Sequence, residues 1–316
     1  MGDNIQKNNN VMPNTGVIIS REKGVWIIEW PTTPLSAETF RVIRGHFLTR
    51  RDYGPNSTAN ISDEIRLLAP TDQILAIRSI VIKEKIIKNY WRMNNEIKRI
   101  ASEYHRGEDD ILALSSKWDF PPLTLMHGIL LHLYPQKKKT IYMAFRGKGS
   151  AETKHADIAA ARKEFSTRDQ EQLTIADIND AESLFNQRLA AEKSYANEMT
   201  FVEWFRGHGV GIRTQEDMVA EQVRDLGRAV LTPDILFTDD VVVNGISCAW
   251  IDYKDYIGTT IAFLAKSNRD QAAKYIKKWG PGALAYHRGI VSDLVTIIPN
   301  DCQLLDVRVF PINLKK

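Results

Sequence analysis

Residues 231–255, LTPDILFTDDVVVNGISCAWIDYKD, carry one Asp behind a proline and, past a turn, an Asp and a Lys two residues apart. Asn244-Gly245 stands between two β-branched or aromatic runs, the strongest short-range signal for a tight hairpin turn. The strands on either side are therefore expected to pair antiparallel. Alternation puts Trp250, Asp252 and Lys254 on one side of the second strand and Ile251 and Tyr253 on the other. Asp234 opens the first strand behind Pro233, a residue tolerated at strand starts and not in strand middles. A hairpin would bring it near the Asp252/Lys254 pair. An isolated Asp-x-Lys is most often only the polar face of a surface strand, so the flanking sequence has to decide.

Upstream, a helical pattern ends at Gly207, and Glu198 falls in the middle of an arc formed by Tyr195, Phe201, Val202 and Phe205. A carboxylate in an apolar stripe is costly to bury unless it binds something, which favours Glu198 over Glu203 as a ligand for a metal or water. The ordinary alternative is a Glu198 that snorkels or pairs with a lysine. Downstream, SNRDQAAKYIKKWGPG reads as a helix begun by a Ser or Asn cap and stopped at Gly280-Pro281. Gln271 and Tyr275 share a face there, four residues apart, with Lys274 and Lys278 beside them. Such a pair can hold a lysine, a water or a phosphate. Trp250, on the same side as the ligand candidates, is read as packing and not as a base-stacking surface.

Two carboxylates with a lysine beside them can hold one or two Mg²⁺ or Mn²⁺ ions, which prefer hard oxygen ligands and leave positions for water and phosphate. The lysine can then orient or help deprotonate an attacking water and neutralise charge in the transition state. On this reading Asp234, Asp252 and Glu198 are the metal ligands, Lys254 positions the nucleophile, and Gln271 and Tyr275 support the lysine.

The N-terminal half has a different character. Residues 1–15 are polar and Asn-rich and read as a disordered tail, and VIISREKGVWIIEW reads as a hairpin turning at Gly24. Ser36 caps a helix with Phe40, Ile43 and Phe47 on one face. From Ile61 to Tyr104 a short helix, a break at Pro70, a cap at Thr71 and a longer helix give a helix-turn-helix outline. The outline recurs at residues 109–134, where Pro121 and Pro122 open a helix whose buried side is Leu123, Met126, Ile129, Leu130 and Leu133. Recognition helices are expected near residues 71–90 and 121–133, with basic residues such as Lys83 and Lys85 on phosphates if that region contacts nucleic acid. The second of these is apolar enough to be packed core or a protein-binding surface instead. Lys137 to Lys139 and the polar RGKGSAETKHAD read as a mobile connection.

At 316 residues and 43% apolar content the chain can bury a sizeable core. Its net charge of +3, from 42 basic and 39 acidic residues, neither requires nor excludes a polyanionic partner. Cys248 and Cys302 provide no disulfide framework and are expected as small core residues in a reducing compartment. No secretory leader and no membrane-length apolar run are visible, so a soluble protein is expected. The histidines do not cluster at ligand spacing, and no zinc site is expected.

The order Glu198, Pro233-Asp234, Asp252-x-Lys254, Gln271-x-x-x-Tyr275 resembles the PD-(D/E)-x-K nuclease superfamily, with a final element like that of its RecB-like branch. LTPDILF, WIDYK and RDQAAKYIKKWGPGALAYH narrow the resemblance to the TPD-motif family of eukaryotic proteins, whose animal members are called codanin-interacting nucleases. Where that family usually has Trp-Ile-Glu-x-Lys, this chain has Asp252. The similarity is close over about residues 195–295 and weaker over residues 60–135. It implies an α/β fold with a restriction-endonuclease-like mixed sheet flanked by helices, preceded by helix-turn-helix-like modules. It also implies metal-dependent cleavage of nucleic acid, DNA above all, residence in nucleus and cytoplasm, and a codanin-like protein partner. The expected division is a tail at 1–15, an unassigned hairpin and helix at 16–55, helical modules at 56–136, a polar and helical connection at 137–189, and the nuclease-like domain at 190–316. Two other readings stand beside it: a scaffold that keeps the nuclease fold without chemistry, and a plain helix-turn-helix DNA-binding regulator.

Overall fold

The computed structural model describes residues 16–54, 61–107, 109–145, 155–180 and 187–309; the expected tail and residues 146–154 and 181–186 of the expected connection lie outside them. Strands β1 (Ile18–Glu22) and β2 (Val25–Glu29) are followed by helices α1 (Ala37–Leu48), α2 (Asp63–Arg66), α3 (Thr71–Arg106), α4 (Ile111–Trp118), α5 (Pro122–Leu133), α6 (Lys138–Phe145), α7 (His155–Arg162), α8 (Thr167–Ile178) and α9 (Gln187–Gly207). The remainder is β3 (Ile212–Thr214), α10 (Gln215–Leu226), β4 (Ile235–Phe237), β5 (Val241–Val243), β6 (Ile246–Ser247), β7 (Trp250–Lys254), α11 (Ala262–Trp279), β8 (Gly282–Tyr286) and β9 (Cys302–Asp306). Two compact units divide the chain: Met1–Ser36 with Asn197–Lys316, and Ala37–Ala196.

The first unit is mixed α/β and contains two mixed sheets. The five-stranded sheet runs β3-β4-β7-β8-β9, antiparallel from β3 to β7 and parallel from β7 to β9. Alternation along β7 sorts its side chains as the pattern predicts. Ile251 and Tyr253 pack with Phe201, Val202 and Phe205 of α9, and Trp250 packs with Ala265, Ala272 and Tyr275 of α11. Each large apolar side chain buried this way contributes about 1.5–3 kcal/mol of transfer free energy. Trp250 is fully buried and donates its indole N–H to the Gly280 carbonyl at 2.9 Å, so it packs and does not stack on a ligand. Glycine is required opposite it, since a Cβ at Gly282 would stand 2.2 Å from the indole.

The turn at Asn244-Gly245 forms as read, with φ of 49° and 79°, the pair of positive values a type I′ hairpin needs. It joins β5 to β6, however, and these leave for the other sheet, order β1-β2-β5-β6. Asp234 reaches Asp252 because β4 pairs directly with β7, Ile235 opposite Ile251. The N-terminal hairpin, unassigned from sequence, runs parallel to β5 through Trp26 opposite Val241. Asn244 fixes that join by accepting from the Trp30 backbone N–H at 2.7 Å and donating to its carbonyl at 3.1 Å.

Two helix starts differ from the reading. Helix α3 is capped by Pro70, not Thr71. Helix α11 begins at Ala262, well before Ser267 or Asn268. Asn268 is buried mid-helix because its amide accepts from the Tyr256 hydroxyl at 2.7 Å and donates to that of Tyr286 at 3.0 Å, a use that replaces capping. Gly280, with φ of 86°, closes the helix where Gly-Pro predicted.

The second unit is helical. Helix α1 buries Phe40, Ile43 and Phe47 as expected. Helix α5 is enclosed on most sides: Leu123, Leu125, Met126, Ile129 and Leu130 are within the core with Ile100, Tyr104 and Phe145. Its apolar side chains are therefore spent on the core and not on a groove. Helices α6 to α8, over much of the expected connection, supply Ile141, Ala161, Phe165 and Leu173 to the same core. The first half of α3 is largely buried too. Lys85, expected on a phosphate, is 6% exposed and bonds Asp119 at 2.8 Å and the Arg50 carbonyl at 2.6 Å.

Candidate active site

The site lies in the mixed α/β unit, where β4, β7 and α11 meet. Asp234, ahead of β4, accepts the Tyr253 backbone N–H on Oδ2 at 2.5 Å, so the start of one strand is pinned to the middle of its neighbour. No hydrogen bond reaches its Oδ1 from the described residues. On β7, Asp252 Oδ2 forms an ion pair with Lys254. Lys254 Nζ also donates to Gln271 Oε1 at 2.9 Å, and Gln271 Nε2 donates to the Tyr275 hydroxyl at 2.8 Å. The Tyr275 hydroxyl closes the ring, lying 3.0 Å from the Thr232 carbonyl and 3.3 Å from Asp252 Oδ1.

Tyr275 has one proton for those two acceptors, and the nearer is the carbonyl. Asp252 is thus served by little more than Lys254. Asp252 and Asp234 are almost fully buried. Burial pushes the Asp252 carboxyl above the ordinary range, and the Lys254 ammonium and Tyr275 only partly offset it. Asp234 is pushed well up by burial and then by the negative charges of Asp252 and Glu198. Half-buried Glu198 is raised by burial and by Asp252, with a smaller push from Glu216. Burial alone would lower Lys254, but the neighbouring Asp252 outweighs it and holds the amine above its usual value. One fixed cation is set among acids that repel one another.

The structure brings Asp252, Lys254, Gln271 and Tyr275 into one bonded network, with Asp234 beside it on the Tyr253 N–H and Glu198 in electrostatic reach. Phe201, Val202 and Phe205 are buried on α9 as the arc predicts, but Tyr195 is exposed. Glu203 is turned outward and pairs with Arg206. Among the described residues no three or more His, Cys, Asp or Glu form a metal cage. Asp234, Asp252 and Glu198 are therefore not gathered into a closed three-ligand set. The donors still fit a magnesium-type ion, which takes one or two carboxylates and keeps water in its other positions. Asp234 with its unbonded oxygen and under-served Asp252 are the residues suited to it.

Three participants escaped the sequence reading. The Thr232 carbonyl anchors Tyr275, but a backbone acceptor has no signature in residue type. Glu216 adds its charge to Glu198 from the first turn of α10. Buried Asn197 lies 3.5 Å from Asp255, beside the acidic end of β7, and only its position next to Glu198 could have flagged it. Next to the network, a groove of about 720 Å³ is lined by Thr232, Phe263, Lys266, Gln271, Lys274 and Tyr275. Lys266 pairs with Asp270 there, whereas Lys274 has no ion-pair partner among the described residues.

Residues 166–307 match the model of a family described as a protein of unknown function with the TPD sequence motif. The chain is also similar to an uncharacterized protein of Acanthamoeba polyphaga mimivirus, 33% identical over 107 residues that cover 33% of this chain and 36% of the viral protein. It therefore spans about a third of that relative's length. No solved structure matches. Among the described residues no helix is long and apolar enough to cross a membrane.

Proposed function

We propose that the mixed α/β unit is a divalent-metal-dependent nuclease with a restriction-endonuclease-like core, hydrolysing phosphodiester bonds of nucleic acid, DNA in the first instance. The observation that carries this reading is the ring Asp252–Lys254–Gln271–Tyr275, which holds one amine against a buried carboxylate with a second aspartate on the neighbouring strand. A bound Mg²⁺ or Mn²⁺ would supply Lewis-acid stabilisation of phosphoryl oxygens and a more acidic water. Asp234 and Asp252 would hold it, with Glu198 assisting directly or through water.

Each side chain then has a task. Asp252 and Gln271 fix Lys254 Nζ from two sides, so its N–H groups are aimed without a reorganisation cost at the phosphate oxygens or the attacking water. Tyr275 holds the Gln271 amide in the orientation that presents its oxygen to the lysine. Glu198, raised above the ordinary carboxylate range, is suited to accept a proton from water on its carboxylate oxygen. The neighbouring groove, with Lys274 on its wall, suits a sugar–phosphate strand running past Gln271 and Tyr275. A codanin-like partner and residence in nucleus and cytoplasm belong to the proposal through the family resemblance alone.

A second reading has its own support. Because Lys254 and Tyr275 of the same unit already hold Asp252, the network could persist as a fixed structural element in a scaffold without chemistry. Cleavage of labelled single-stranded, duplex, flap and junction DNA under Mg²⁺ and Mn²⁺ separates the two. Metal-dependent cutting that falls by at least about 100-fold in Asp252→Asn and Lys254→Ala is expected. A wild type inert on every substrate, or cutting that both variants retain, would leave the scaffold.

A further inference from the structure

Helix α3 changes character halfway. Its first half is largely buried, but from Ile87 to Trp91 it presents large apolar side chains to solvent. Trp91 is 77% exposed, with Ile87 and Tyr90 more than half exposed. These positions, i, i+3 and i+4, form one continuous patch near 100° per residue. An exposed tryptophan next to an exposed tyrosine on a rigid helix is not explained by the core, which this helix serves through Met93, Ile100 and Tyr104 on its other side.

The charge around the patch is predominantly positive. Between Ile87 and Arg106 the acids are Glu96, which is half-buried, and Glu103, which is buried and engaged by Arg99, Lys117 and the Trp118 indole. Lys88 shares Glu84 with Arg44, which leaves a positive excess. Arg92 donates to the Trp118 carbonyl at 3.0 Å, and neither it nor Lys98 has an ion-pair partner among the described residues. Exposed aromatics bordered by unneutralised cations match a polyanion that also offers flat π-faces.

We propose that this face of α3 is a platform for single-stranded nucleic acid, on which Trp91 and Tyr90 stack unpaired bases while Lys88, Arg92 and Lys98 meet phosphates. Stacking selects single strands because duplex bases are already covered by their neighbours. From Ile87 to Lys98 the face extends about 17 Å at 1.5 Å per residue, room for a few nucleotides. The proposal rests on the nucleic-acid half of the functional reading and is independent of its chemistry.

The test uses the full chain carrying Asp252→Asn, without metal, so that binding is read and cleavage is not. Fluorescence anisotropy with a labelled 20-nucleotide oligo(dT) and a duplex of equal length, over a salt series, provides the affinities. Trp91→Ala should weaken oligo(dT) binding by about tenfold or more and duplex binding far less. Arg92→Glu with Lys98→Glu should weaken both and reduce the slope of log affinity against log salt by about 1.4 for the single strand. All three side chains are exposed, and unchanged circular dichroism would verify folding. Equal oligo(dT) affinity in wild type and Trp91→Ala overturns the platform, as it would if the patch served a protein partner. Such a result beside an active wild-type nuclease would remove the platform alone, and a platform found on an inert chain would remove the nuclease alone.

Discussion

Two sets of buried carboxylates, Glu84 and Glu103 in the helical unit and the site acids in the α/β unit, are treated oppositely. In the helical unit, burial alone would raise Glu84, but Arg44 and Lys88 reverse it and hold the group below its ordinary value. Glu103 is likewise pulled down, against burial, by Lys117, Trp118 and Arg99. In the α/β unit, Asp234, Asp252 and Glu198 are all raised, with one lysine among them. Acids surrounded by cations are structural ties that keep helices in register. Acids short of cations mark a place where the fold stays electrostatically incomplete and a metal ion could complete it.

That contrast is broken most severely at Lys254. Lys254→Ala removes the one cation of the α/β site and leaves buried Asp252 with little more than a shared hydroxyl. Cleavage should fall by at least about 100-fold, and metal-free stability in urea should drop by up to about 3–5 kcal/mol, less to the extent that Asp252 protonates. In the other direction, Asp234→Asn keeps an oxygen for the Tyr253 N–H and removes one repelling charge. It should stabilise the metal-free protein near neutral pH by on the order of 1 kcal/mol, seen as a higher urea midpoint, while abolishing metal-dependent activity.

The pH dependence follows from the same asymmetry. Acids with raised folded-state values bind more protons when folded than when unfolded, so their contribution is present below about pH 4 and is lost as pH rises through the raised values. Glu84 and Glu103 act in the opposite sense: their contribution is present above the ordinary glutamate value and is lost as pH falls through their lowered ones. In a chelator, urea midpoints should decline above pH 4, and Asp234→Asn should flatten that decline. An unchanged slope in the variant would take Asp234 out of the coupled group. The smallest effect belongs to Lys88→Ala: Lys88 is exposed and Arg44 remains on Glu84, so a loss under about 1 kcal/mol is expected.

What the sequence disclosed about the site was local. Strand alternation placed Trp250, Asp252 and Lys254 on one side, because a period of two is fixed by the backbone itself. The four-residue spacing of Gln271 and Tyr275 likewise predicts the contact found. Pairing beyond neighbours was hidden. The Asn244-Gly245 turn forms, yet β5 and β6 serve the sheet begun by the N-terminal hairpin, and the strand carrying Asp234 pairs past them. Polar side chains with tertiary partners also misled. Asn268 looked like a cap but bonds two tyrosines, and Lys85 looked like a phosphate contact but is sealed against Asp119. Exposure cannot be read from periodicity when a helix is enclosed on most sides, as α5 is, or changes role midway, as α3 does.

The central claim is that buried, mutually repelling aspartates beside a single fixed lysine provide a site for a hard cation. Calorimetric titration of Mg²⁺ and Mn²⁺ into the wild-type chain and into Asp234→Asn and Asp252→Asn addresses it without depending on any substrate. Saturable binding to the wild type with proton release from the raised carboxyls, and its loss in both variants, is the expected result. Absence of saturable binding to the wild type, or binding that both variants retain, would contradict it.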